Sequence, residues 1–458
     1  MMKRLLCALA LGLTVFMPVA AAQLEVNIGR GGADLKTPIA IPDFAADGVD
    51  PDIARQISDV VRADLESTGL FTVVPEAAHI QKDLDIEVAP RFADWKIIKS
   101  DALVIGSIEQ LTRDGNQLLR GSVRMWDVYG EELMRFEDSS GRQVSGRRFT
   151  TTPEDLRRIA HKISDAIYTR LTGETGYFDT RIVYIAESGS KLARVKRLAI
   201  MDADGANVQY LTSGRFTVLT PRFSPEAQQI TYMSYEGGMP RVYLYDLQRG
   251  RQEVLGNFRS MTFAPRFSRD GASVLLTQAS GGNSDIYIRN LNTGETRRMT
   301  DHPAIDTSPS MSPDGRQIVF NSDRGGSPQL YIMNTDGTQR TCPSGGRDVA
   351  CRITFGSGRY STPVWSPRGD LIAFTKQARG KFHIGVIGID GDGERLLTEA
   401  YLDEGPDWSP NGRVITFFRE RAPGASPELW SVDLTGRNLR KLQTPTDASD
   451  PAWSPLLQ

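Results

Sequence analysis

Histidine and cysteine are scarce in this chain, at four and three in 458 residues. So few ligands leave little room for a multi-ligand metal centre. Neither sign of charge is in excess: Lys+Arg is 54, Asp+Glu is 56 and the formal net charge is −2. Nucleic acid, which would want a basic domain, is thereby argued against as the main partner. Beyond the N-terminus no stretch approaches 18 apolar residues, so nothing there reads as a membrane-spanning helix. Enzyme signatures are missing too. There is no Gly-x-Ser-x-Gly elbow, no Gly-x-x-x-x-Gly-Lys-Ser/Thr loop and no His-Glu-x-x-His. His79, His161, His302 and His383 are dispersed. His161 falls beside or opposite the apolar stripe of a helix, where a surface or capping role is expected. No pair of carboxylates is singled out by an apolar setting that would raise a pKa. Turn formers, by contrast, are plentiful, with 43 Gly and 25 Pro, and suit many short strands. The length implies two or three domains, and 40% hydrophobic residues suffice for their cores.

Met1 to Ala22 reads as a secretory signal. Lys3 and Arg4 precede an apolar run from Leu5 to Met17, Pro18 breaks it, and Ala20, Ala21 and Ala22 offer small residues for cleavage. The run is too short to span a bilayer. Residues 23–36 stand apart: Leu24, Val26 and Ile28 alternate with polar residues, then Gly29, Gly31 and Gly32 loosen the chain. Such a segment can add to a partner's sheet edge. In an exported chain, Cys342 and Cys351, nine apart around a Gly-rich turn, read as a disulfide clipping one loop.

One phrase recurs through the second half: PRFSPEA, PRFSRDG, PSMSPDG, PVWSPRG, PDWSPNG and PAWSPLL, beginning at Pro221, Pro265, Pro309, Pro363, Pro406 and Pro451. The spacings of the serines, Ser224 to Ser454, are 44, 44, 54, 43 and 45; the long interval holds the two cysteines. Short strands follow each of the first five copies, giving four per unit, the pattern of a propeller blade. The strands missing after the sixth copy occur before the first, at Arg181, Arg197 and Gln209. The C-terminal strand around Ala452 and Trp453 is therefore expected to complete the blade begun at Arg181 and close the ring. The Asp202-Ala-Asp204-Gly205 and Asp390-Gly-Asp392-Gly393 steps read as hairpin turns, since a calcium loop needs a fuller oxygen set.

Before the repeats, residues 37–172 read as an α/β domain. Asp50-Pro51 opens one helix, whose apolar face is Ile53, Ile57, Val60, Val61 and Leu65. Thr152-Pro153 opens a second, with Leu156, Ile159, Ile163, Ile167 and Leu171. Residues 173–180 form a short linker to the propeller, 181–458. The expected fold class is thus an α/β N-terminal domain plus an all-β six-bladed β-propeller closed by the C-terminal strand.

In a propeller, the residues before each repeated Pro fall on loops that converge on one mouth of the channel. They are Leu219-Thr220, Phe263-Ala264, Thr307-Ser308, Ser361-Thr362, Glu404-Gly405 and Ser449-Asp450. Small residues at the last position let a partner's backbone approach. Asp306, Asp403, Glu404, Asp447 and Asp450 add acid to the rim, where a basic segment or a cation could be drawn.

Taken together, the leader, the α/β domain, the six Ser-Pro-Asp-Gly-type repeats and the terminal PAWSPLL resemble the TolB family, periplasmic propeller proteins of the Tol-Pal system. The resemblance covers the whole chain. It implies a non-enzymatic, monomeric scaffold without cofactor or metal. It further implies binding of the peptidoglycan-associated lipoprotein Pal at the propeller mouth and of the inner-membrane protein TolA through Leu24, Val26 and Ile28. Other outer-membrane proteins and bacteriocins are further implied partners, and outer-membrane integrity and cell division the process served. By motif position the Pal-facing residues are Met261, Ala264, Thr307 and Ser308, with Leu402, Asp403 and Glu404 of the YLDEGP stretch. Two other classes stay open on the residues alone: a propeller enzyme with its site in the channel, and a sugar binder using Phe263, Tyr360 and Tyr401.

Overall fold

The computed structural model describes residues 36–457 except 227 and 257. The expected leader and the segment carrying Leu24, Val26 and Ile28 lie outside the described residues. Helix α1 (Pro51–Ser67) starts as its sequence dictates. The Asp50 carboxylate accepts from the Asp52 amide at 2.9 Å, and Pro51 fills the first position, where no amide partner is needed. A short α2 (Phe92–Ile97) follows, and α3 (Leu156–Thr172) ends at Gly173, whose φ of 70° suits glycine. Ile57, Val61 and Leu65 of α1 and Ile163, Ile167 and Leu171 of α3 are wholly buried. They share one core with the sheet residues Ile39, Val104 and Ile108. That sheet runs Phe71–Val73, Thr37–Ala40, Ala102–Arg113, Asn116–Asp127, Glu132–Met134, with its first three strands parallel.

Six four-stranded sheets make up the propeller. The innermost strands are Asp447–Trp453, Val218–Phe223, Met261–Phe267, Asp306–Met311, Arg359–Trp365 and Leu402–Trp408, in blades one to six. Blade one is the composite expected. Ile182 pairs with Trp453 and Val183 with Ala452, so the last strand closes the ring against the first. In blade four the long repeat adds a small hairpin, Arg340–Thr341 with Arg347–Asp348, and the Cys342–Cys351 disulfide ties it to the outer strand Ala350–Arg352.

The repeated Ser-Pro-Asp-Gly phrase is the turn between the first two strands of a blade. In blade four Ser312 donates its amide to the Gln317 carbonyl (2.9 Å) and accepts the Gly315 amide on its own carbonyl (2.9 Å). Its hydroxyl accepts the Gln317 amide (2.9 Å) and donates to Asp314 (2.6 Å). One side chain thus satisfies a turn's backbone and holds the Asp314 carboxyl below its ordinary range.

The α/β domain covers the end of the propeller where these turns lie. Glu174 is clamped by Arg413 and by Arg368 (2.9 Å), Asn411 donates to the Thr175 carbonyl (2.9 Å) and Asn438 to the Ser67 carbonyl (2.8 Å). Tyr177 stacks on Phe178 and meets Trp453 edge-on at the joint, and the core runs unbroken from α1 and α3 into blades one and six. Among the described residues, no helix is long and apolar enough to cross a membrane.

Candidate functional site at the open mouth of the propeller

The opposite end, where the innermost strands begin, is uncovered among the described residues. The residues before each repeated Pro are not in the connecting loops, as expected from sequence, but inside the innermost strands. Each strand carries a register shift there, as between Leu219 and Arg222 or Thr307 and Ser310. The extra residue takes a left-handed conformation in every blade: Thr220 (φ 48°), Ala264 (51°), Ser308 (54°), Thr362 (47°), Gly405 (67°) and Asp450 (49°). Backbone geometry favours Gly405 and tolerates Ala264, Ser308 and Asp450 at this position, while the β-branched Thr220 and Thr362 are strained there. All six strands are bent at one level.

The bend sorts the neighbouring side chains. The third residue before each Pro is buried without exception: Val218, Thr262, Asp306, Tyr360, Asp403 and Ala448. The fourth is turned outward, with Met261 39% and Ile305 48% exposed. The rim is correspondingly less acidic than its sequence suggests. Asp306 is paired with Arg324 (2.7 Å). Asp403 is held by both arms of Arg419 (2.7 Å each) and by the Thr398 hydroxyl (2.6 Å), and Asp447 is paired with Arg194 (2.7 Å). Asp403, expected as a contact residue, is fully buried and so braces the strand from behind. Met261, Ala264, Thr307, Ser308, Leu402 and Glu404 all keep some exposure. Burial, then Asp450 and Glu420 nearby, push the Glu404 carboxyl above its ordinary range.

Between blades six, one and two the mouth deepens into a cavity of about 520 Å³. Leu219, Leu402, Phe418 and Pro427 supply its apolar wall, and Glu187, Lys196, Arg194, Glu420 and Asp450 its charged one. Glu187 is buried and held by Lys196 (2.9 Å) and Arg194 (3.2 Å). Leu192, Tyr235, Met239, Met261, Ile305 and Tyr401 stand exposed on the loops and strand starts of this end. Apolar side chains around a part-charged well suit a protein surface.

The family profile described as TolB beta propeller domain matches residues 168–457, and that described as TolB amino-terminal domain matches residues 24–134. The chain belongs to the TolB family. The Tol-Pal system protein TolB of Paramagnetospirillum magneticum (strain ATCC 700264 / AMB-1) is 52% identical to it over 466 residues, covering 100% of this chain and 99% of that one. The crystal structure of TolB from Acinetobacter baumannii superposes with a TM-score of 0.77 at 29% identity, over 92% of this chain and 97% of that one. This membership makes the chain a component of the Tol-Pal system rather than an enzyme.

Two features at the joint of the two domains escaped the sequence. His161 is not at the surface: it is 2% exposed, and its Nδ1 lies 2.8 Å from Asp64 of α1. Its Nε2 lies 4.0 Å from Asp204 of the blade-one hairpin, which Arg157 also grips. Burial would lower this imidazole, but Asp64, Asp204 and Asp202 outweigh it and hold the ring at about 9. The three residues are close enough to cage a cation. However, the two carboxylates address opposite ring nitrogens and a guanidinium sits on one of them, an arrangement for an imidazolium. Asp165 is a carboxylate the sequence did not single out; it keeps partial exposure on a groove also lined by Arg135, Arg147 and Lys162. Burial pushes it up to about 7, although it accepts the amides of Phe178 (2.7 Å) and Asp179 (3.1 Å).

Proposed function

We propose that this TolB-family chain acts in the periplasm as a scaffold holding the lipoprotein Pal at the open propeller mouth. Met261, Ala264, Thr307, Ser308, Leu402 and Glu404 form the contact face, and Asp403 fixes the strand behind it. The N-terminal segment with Leu24, Val26 and Ile28 engages TolA, and the assembly serves outer-membrane integrity and cell division. The observation carrying this reading is that one end of the ring is covered by the α/β domain while the other presents exposed Met261, Ile305 and Tyr401 around a cavity of about 520 Å³. The test is calorimetric titration of the mature protein with the soluble domain of Pal from the same organism. Saturable binding is expected, abolished by Thr307→Arg and by Glu404→Arg. Absence of binding by the folded wild-type protein, or retention of full affinity by both variants, overturns the assignment of the mouth.

A further inference from the structure

The residue after each repeated Pro is Arg222, Arg266, Ser310, Val364, Asp407 and Ala452 in blades two to six and one. Two adjacent blades thus bring guanidinium groups to the channel, and they are not treated alike. Arg266 of blade three reaches Asp407 of blade six, on the opposite side of the ring, with Nη1 to Oδ1 at 3.0 Å. The other oxygen of Asp407 accepts the Trp453 amide at 2.8 Å. Arg222 has no carboxylate within ion-pair distance among the described residues. Among the described residues its one side-chain hydrogen bond goes from Nη1 to the Pro221 carbonyl at 2.6 Å.

A guanidinium has five donors, and holding one inside a protein with no carboxylate in contact is costly. Burial, then the like charge of Arg266, push Arg222 down to about 10, yet it stays cationic near neutral pH. The side chain keeps partial solvent exposure, as a group on a narrow wet channel does. Two further polar atoms on the same strand pair are buried and unpartnered: the hydroxyls of Thr220 and of Thr231, which stands directly opposite Arg222 in the sheet. A cation with free donors beside two unused hydroxyls is a half-built anion site.

We propose that the propeller channel holds a carboxylate at Arg222, gripped by the guanidinium fork and assisted by Thr220 and Thr231. Asp407 and Asp450 lie near enough to act on Arg222, so a second negative charge is opposed and a monoanion is preferred to phosphate. The site does not depend on which partner docks at the mouth. The carboxylate comes either from a free metabolite-sized acid or from an acidic side chain of a docked partner.

The experiment is saturation-transfer NMR of acetate with the full mature protein at constant ionic strength, alongside thermal midpoints. Expected are a saturable acetate signal, undiminished by equimolar phosphate, and a midpoint that rises with acetate, since a ligand of the native state stabilises it. Arg222→Met should lose both responses while starting from an equal or higher midpoint, because it removes a partly buried charge that no carboxylate contacts. Thr231→Val, which keeps the charge, should weaken acetate binding several-fold. Adding the soluble domain of Pal then separates the sources: displacement of acetate points to a side chain of the partner, retention to a free acid. No saturable acetate signal, or the same signal in Arg222→Met, overturns the proposal and leaves the donors to water.

Discussion

Arg266 and Asp407 face each other across the propeller from opposite blades, three positions apart around the ring, and meet at 3.0 Å. Both follow the repeated Pro in their own strand, so the pair is a bolt between two copies of one motif. It lies well inside, with side chains 17% and 9% exposed. Removing one partner strands the other charge. Asp407→Asn is expected to cost about 3 kcal/mol in urea unfolding. The paired replacement Arg266→Met with Asp407→Leu should recover most of that loss, because no ion is then buried alone. An additive loss in the double variant would mean that the pair contributes little beyond its separate packing and hydrogen bonds.

The left-handed ring makes a second prediction. Ala264 has φ 51° and no side chain to lose in hydrogen bonds. Glycine there removes a strain of about 1–2 kcal/mol and adds a smaller entropic cost to folding. Ala264→Gly should therefore raise the unfolding free energy slightly, and Ala264→Val should lower it by about 1–2 kcal/mol. A destabilised glycine variant would show that the strand bend depends on the alanine methyl.

Most of the architecture was legible because it is repeated. Six copies of one phrase reveal the blade count, and the order of the leftover strands reveals the closure between Ile182 and Trp453. The capping of α1 by Asp50 follows from local chemistry alone. Legibility fails where function depends on which way a strand faces. Asp306 and Asp403 look like rim acids in sequence, but a bulge of one residue sets the alternation and turns both inward. Arg222, Arg266 and Asp407 sit one step after the Pro that served as the frame. Their importance comes from the ring's diameter, which no local pattern encodes. His161 and Asp64 are 97 residues apart, and only the packing of α3 on α1 brings them together.

The disulfide offers a third test. Cys351 sits in the outermost strand of blade four, and the disulfide to Cys342 clips the added hairpin onto it in a short loop. Closing so short a loop restricts the unfolded chain by about 2–3 kcal/mol. The Cys342→Ser, Cys351→Ser double variant should fold with unchanged far-UV circular dichroism and an unfolding free energy lowered by up to that amount. Loss of the folded state would instead make the clip a requirement for assembling the ring.

The joint between the domains should weaken as pH rises, in two separable windows. Asp165 titrates at about 7 when folded, above its ordinary 3.8. A carboxyl raised on folding gives no penalty below pH 4, a growing one from pH 4 to 7, and the full one above. The penalty is about 4 kcal/mol at most. His161 is raised from 6.5 to about 9 by Asp64, Asp204 and Asp202 against the effect of burial. Its contribution, about 3 kcal/mol, is whole below pH 6.5 and is lost as pH climbs through 9. Unfolding free energies measured from pH 4 to 10 should therefore fall in two stages. Asp165→Asn should flatten the first stage alone and His161→Gln the second alone, with the His161 variant less stable than wild type at pH 6. A wild-type curve that is level between pH 7 and 9 would show that His161 is neutral at the joint, and that Asp64 and Asp204 do not clamp it as an imidazolium.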